Sequence, residues 1–167
     1  MQDSSMRSRP KLFLEDPEFE SFPFIELHSQ NRELGRMYFT LYSNLQPDIC
    51  AHFKSILKPI QQKRIFSNLS GQPVQPNIQN CFFQFGLFSI LTENVNILPQ
   101  NMKPKAKQLL WITGTNEFAV TYNGIEHQNC VVIGEVNEES SEVYEQMRMI
   151  ASIDGKGTED VVIVGSQ

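Results

Sequence analysis

Three histidines are the side chains of this sequence best suited to acid–base catalysis or metal binding near neutral pH. They are His28, His52 and His127, and they fall on separate predicted elements. None of them has a carboxylate or a cysteine at the spacing that metal ligands require. Glu126 and His127 are adjacent and are typical of a solvated loop. We therefore expect no metal site and no histidine-based catalysis.

The cysteines and one glycine-rich string offer little further chemistry. Cys50, Cys81 and Cys130 are too few and too widely spaced for a disulfide framework or a zinc knuckle. We expect reduced, partly buried thiols and a reducing compartment. The string Gly-Lys-Gly-Thr at 155–158 lacks the upstream glycine spacing of a phosphate-binding loop and predicts a turn. No cofactor is expected.

The chain has 167 residues and a formal net charge of −5. An acidic surface repels phosphate backbones, so we do not expect direct contact with nucleic acid. An acidic run surrounds the start of a predicted helix, where negative charge is favourable. It consists of Glu135, Glu138, Glu139, Glu142 and Glu145. The same run is alternatively a docking surface for a basic partner.

The two ends of the sequence differ in character. Residues 1–20 are polar and proline-containing and predict a flexible N-terminal arm, followed by one domain at 21–167. The N-terminus has no apolar stretch long enough for a signal peptide, and no segment is long enough to span a bilayer. We expect an intracellular protein, cytoplasmic or nuclear, without membrane contact.

Short β-type runs and two amphipathic helices organise the predicted domain. Alternating apolar residues at 24–28 and 35–42 flank a polar turn and predict a hairpin. Further strands are predicted at 64–66, 81–91, 107–113, 117–122, 130–136 and 161–164, and helices at 47–57 and 141–150. Eight strands without βαβ alternation predict a mainly β fold, an antiparallel barrel or sandwich with helical plugs.

Four segments resemble the cyclophilin family in their order and spacing. They are the hairpin at 24–42 with its Leu-Gly-Arg string, the helix at 47–57, the strand Cys-Val-Val-Ile-Gly-Glu-Val at 130–136 and the closing segment at 161–167. The resemblance covers residues 22–57 and 108–167. It implies an eight-stranded antiparallel barrel capped by two helices, with a groove that binds Xaa-Pro segments. In that family an arginine weakens the amide resonance of the proline peptide bond by electrostatic stabilisation.

The resemblance implies a groove whose residues have changed in this chain. The groove positions are Phe82, Gln84, Thr113, Ala119, Ile125 and Cys130. Ala119 stands where the family has a phenylalanine floor, Ile125 where it has a tryptophan and Cys130 where it has a histidine. Losing the phenylalanine removes much of the apolar contact with a proline ring. We therefore expect a non-catalytic protein-interaction module; the alternative is a weak isomerase that acts through Arg64 and Gln84.

The strand at 81–91 is the predicted contact for a partner. Because side chains alternate along a strand, Phe83 and Phe85 are expected to point inward, and Phe82 and Phe88 outward. Outward aromatic rings expose area that a monomer seldom leaves uncovered. We expect a protein partner there, with proline-containing or basic segments, and leave the oligomeric state open. The alternative is that the chain's own loop at 67–80 covers both rings.

Overall fold

A computed structural model describes residues 22–30, 32–61, 65–124 and 129–167. This part of the chain contains two helices, α1 (Pro47–Leu57) and α2 (Ser141–Ile150), with a 3-10 turn at Glu138–Ser140 before α2. Its eight strands are β1 (Phe24–Ser29), β2 (Arg32–Leu41), β3 (Asn77–Ile78), β4 (Phe82–Ile90), β5 (Gln108–Ile112), β6 (Thr115–Thr121), β7 (Cys130–Val136) and β8 (Val161–Ser166). The predicted arm at 1–20 lies outside the described residues.

The eight strands form one curled sheet in the order β3-β4-β6-β5-β7-β2-β1-β8, and every paired strand is antiparallel to its neighbour. The prediction of a mainly β fold with eight antiparallel strands and two helices is confirmed. Both helices have the predicted bounds, because Pro47 starts α1 and an apolar stripe continues through each helix.

The prediction of a short strand at 64–66 is wrong for the two residues of that range that the structure describes. Ile65 and Phe66 lie outside any strand, and the short strand is β3 instead. Asn77 is fixed in β3 because its side chain accepts a hydrogen bond from the Tyr122 hydroxyl (2.6 Å) and donates one to the Met147 carbonyl (3.1 Å). These contacts are distant in sequence, so no local pattern reveals them.

The segment at 71–78 links the two ends of the sheet. The Val74 N–H donates to the Val161 carbonyl, and the Ile163 N–H donates to the Gln72 carbonyl, both at 2.9 Å. A few residues later, β3 pairs with β4. Main-chain hydrogen bonds therefore run from β8 through this segment to β4, and they hold the sheet in its curled form.

Aromatic side chains fill the main core beneath the sheet. Phe53 of α1 packs against Phe118 of β6 with ring centroids 4.7 Å apart, and against Phe39 at 5.8 Å. The apolar stripe of α2, which includes Val143 and Met147, is also buried in this core. Burial of such large rings makes the core sensitive to truncation, at about 3–5 kcal/mol for a phenylalanine replaced by alanine.

No helix in the described ranges has the length and apolar character needed to cross a membrane.

Candidate functional site

A second apolar cluster lies on the face of the sheet that is turned away from the main core. Leu110 of β5, Ala119 of β6 and Val132 of β7 are buried at its centre. Four partly buried side chains pack against them: Tyr42, Phe82, Met102 and Cys130. We call these seven residues the outer cluster. It brings together three of the positions that the family resemblance assigned to a groove, Phe82, Ala119 and Cys130.

A long connection between β4 and β5, residues 91–107, which we call the strap, runs across this face without forming a helix or strand. The Gln100 amide fixes the strap to β7, because it donates to the Val132 carbonyl (2.8 Å) and accepts from the Val132 N–H (2.9 Å). Gln46 makes the same pair of bonds with Leu98, at 2.9 and 3.1 Å. The strap has no β-ladder of main-chain hydrogen bonds, and paired hydrogen bonds from glutamine side chains to the main chain take its place.

The strap occupies the face where a peptide groove was expected. Met102 of the strap packs on the outer cluster, and Ala119 is only 2% exposed. Between the strap and β7 there remains a cavity of about 430 Å³, whose lining includes Ile97, Met102, Cys130 and Val132. The face is therefore a packed layer with a residual cavity at its edge.

Of the other expected groove residues, Gln84 borders the outer cluster, and the rest lie elsewhere or outside the described residues. Gln84 stands opposite Ala119 in the ladder, and its side-chain amide donates to the Glu117 carboxylate at 2.7 Å. Thr113 is exposed in the turn between β5 and β6, where its N–H donates to the Asn129 carbonyl. Arg64 and Ile125 lie outside the described residues.

A β-bulge in β4 projects Phe88 into solvent. Leu87 pairs with Asn116 and Ile90 pairs with Thr115, so Phe88 and Ser89 have no opposite residue. Bulges of this kind turn a side chain out of the regular alternation. Phe88 is 96% exposed and Ile90 is 78% exposed.

Three of the four phenylalanine rings of β4 have the exposure that was predicted, and Phe82 does not. Phe83 and Phe85 are buried in the main core and Phe88 is exposed, as predicted. Phe82 belongs to the outer cluster and is half-buried. The loop at 67–80 instead inserts Leu69 and Val74 into the main core. Only Phe88 of the two candidate anchors is thus available to a partner.

A chain of polar side chains braces the bulge. The Asn116 amide donates to the Ser89 hydroxyl, and the Asn116 carbonyl oxygen contacts His52 Nε2, both at 2.8 Å. His52 Nδ1 lies 3.1 Å from a carboxylate oxygen of Glu93. The chain joins the bulge, β6, α1 and the strap. Ser89 and Glu93 are close in sequence, but His52 and Asn116 are distant from them and from each other, so their spacing gave no signal.

Two of the three histidines lie close to carboxylate groups in the folded chain. His52 contacts Glu93, and His28 lies between Glu26 and Glu33 on the β1–β2 hairpin. Cross-strand and cross-element contacts create both groups, and sequence spacing does not report such contacts.

Two of the cysteines are shielded by the fold. The Cys50 thiol is buried and contacts the Ile133 carbonyl at 3.4 Å, and burial raises its pKa to about 11. Burial also raises the pKa of Cys130. Since the thiolate is the nucleophile, both residues are poorly suited to nucleophilic chemistry. The expectation of partly buried thiols is confirmed.

Comparison with known proteins finds no protein-family model that matches the chain and no curated protein that matches its sequence.

Proposed function

We propose that this chain is a non-catalytic protein-interaction module of cyclophilin-like architecture, a scaffold or adaptor within a larger assembly. The observation that carries the proposal is the 96% exposure of Phe88 on a braced bulge. Exposed aromatic rings on rigid backbone are typical binding anchors, because little conformational freedom is lost when a partner covers them.

The strap supports the non-catalytic half of the proposal. Isomerisation needs an open pocket for the proline ring and a charged group positioned against the peptide bond. Met102 and the buried Ala119 fill the face where the resemblance puts that pocket, and the Gln84 amide is bound to Glu117. The alternative, weak isomerisation through Arg64 and Gln84, requires the strap to leave this face.

The surroundings of Phe88 indicate the chemistry of the partner. Ile90 extends the apolar surface, and the Glu93 side chain, 68% exposed, adds negative charge at the end of the polar chain that braces the bulge. A complementary segment has an apolar group for the phenylalanine ring and a basic residue beside it. Proline fits the apolar position, because its ring loses little entropy on binding.

Capture with the full chain, followed by calorimetry on the most enriched partner, tests the proposal. Phe88→Ala should weaken that complex by about 2 kcal/mol or more, as expected for a central aromatic anchor. The fold should be unaffected, since an exposed ring contributes little to stability. Thermal melts of the wild type and of Phe88→Ala check that the fold is equally stable in both.

Met149→Ala provides the matched control, because Met149 is 80% exposed but lies on α2. It should leave the affinity unchanged. Equal affinities for the wild type, Phe88→Ala and Ile90→Ala would refute docking at the bulge and favour the acidic surface around the start of α2.

A further inference from the structure

Three side chains that can bind a metal meet on one face of the β1–β2 hairpin. Glu26 and His28 are two residues apart on β1 and share a face, and Glu33 is directly opposite His28 on β2. One ligand atom from each side chain lies within 4.8 Å of those of the other two. The hairpin is separated from β4 by several strands in the sheet, so this group is distinct from the Phe88 surface.

A second β-bulge creates this arrangement. Leu27 pairs with Gly35 and His28 pairs with Glu33, so Leu34 is the extra residue of β2. Leu34 is buried in the main core, and the change of alternation brings Glu33 onto the face of His28. Gly35 allows the bulge because its φ is +123° and a Cβ there would lie 2.9 Å from Val143.

The His28 imidazole has an unsatisfied nitrogen in this group. Its Nε2 atom is enclosed and has no hydrogen-bond partner, although the side chain as a whole is 32% exposed. The nearest carboxylate oxygen, Glu26 Oε2, is 3.8 Å away. A buried polar nitrogen normally has a partner, so an enclosed nitrogen without one is a position that a ligand can satisfy. Two carboxylates and an imidazole form a donor set that zinc accepts.

Arg36 is the competing cation. Its Nε atom lies 3.1 Å from Glu26 Oε1, and its guanidinium lies over the Phe24 ring at 4.3 Å. It therefore engages one oxygen of Glu26 and leaves Oε2 directed toward His28. Ligand atoms about 3–4 Å apart suit a tetrahedral ion with bonds of about 2.0–2.2 Å. Glu33 is exposed and can rotate to complete this geometry.

We propose that Glu26, His28 and Glu33 bind a divalent transition-metal ion of the Zn²⁺ type. Three protein ligands leave a fourth position for water or for a side chain of a bound protein. The competing explanation is that the three side chains meet without a metal, and the two explanations predict different binding results.

The test is calorimetric titration of the chelator-treated full chain with Zn²⁺, supported by the visible absorption spectrum of the Co²⁺ form. We expect one ion per chain and a tetrahedral Co²⁺ spectrum. His28→Ala should weaken binding by about tenfold or more, and Glu33→Gln should weaken it less, since the amide oxygen is a poorer ligand. Binding should fall at low pH, because protonated imidazole cannot ligate.

Arg36→Gln distinguishes a metal site from a histidine that has only a structural role. Removal of the guanidinium frees Glu26, so Zn²⁺ should bind more tightly. His127→Ala is the matched control and should bind Zn²⁺ as the wild type does. No Zn²⁺ binding by the wild type, or equal binding by His28→Ala, would overturn the proposal.

Discussion

Burial controls the reactivity of Cys130, which is the outer-cluster residue easiest to follow chemically. Its side chain packs against the cluster that Met102 of the strap also contacts, and this burial raises the pKa of the thiol. A raised pKa reduces the thiolate population at neutral pH, and packing restricts access by reagents. Cys130 therefore reports whether the strap is in place.

Met102→Ala should increase the rate at which iodoacetamide alkylates Cys130 at about pH 8, because the thiol then gains water and lowers its pKa. Peptide mass spectrometry measures the rate. Cys50 is the internal control: with a pKa of about 11 it has on the order of 0.1% thiolate at that pH, and it should stay slow in both proteins. An unchanged Cys130 rate would show that Met102 does not shield it.

The burial of single side chains was predictable from the sequence where the alternation of side chains along a strand determines it. Phe83 and Phe85 are buried for this reason, whereas the exposure of Phe88 also depends on the bulge in β4. The neighbours of His52 and His28 were not predictable, because Asn116, Glu93 and Glu33 reach them from other elements or across a bulge.

The strap is the element that most changes the expected surface. It has no ladder of its own, so Gln46 and Gln100 hold it through side-chain bonds to main chain. Each such bond contributes about 1 kcal/mol net, and losing one partner leaves buried groups unsatisfied. The strap should therefore depend strongly on these two glutamines.

Gln100→Ala should destabilise the strap locally by about 1–3 kcal/mol, because the Val132 N–H and carbonyl both lose a partner. Native-state hydrogen exchange should show faster exchange of the Val132 amide and of amides near Leu98, with little change in β1. Gln75→Ala, at an exposed position, is the control and should leave these rates unchanged. Unaltered exchange in Gln100→Ala would contradict the anchoring role of this glutamine.

Elements with a strong apolar period were predictable, and elements defined by partners were not. Pro47 and the stripe through Phe53 set the bounds of α1 from sequence alone. The two residues of β3 form a strand only because β4 pairs with them. The strap has no periodic apolar pattern, since it is held by Gln46 from another segment and by its own Gln100.

At the scale of the whole molecule, one curled sheet has two differently covered faces. The inner face buries aromatic rings against the two helices, and part of the outer face is covered by the strap. The other seven strands and their antiparallel direction were predictable from the spacing of short β-type runs, whereas β3 was not. The covered outer face was not, because a connection without a pattern supplies the cover. This covered face supports our proposal that the chain recognises proteins without isomerising their prolines.

Exchange NMR on a short Xaa-Pro peptide tests this claim most directly, with a catalytically active cyclophilin as the positive control. Uncatalysed exchange crosses a barrier of about 18–20 kcal/mol and takes tens of seconds or longer. We predict that this protein, at a concentration equal to that of the peptide, leaves the exchange rate unchanged. Clear acceleration by the wild type, lost in Arg64→Ala, would contradict the non-catalytic proposal and establish the isomerase alternative.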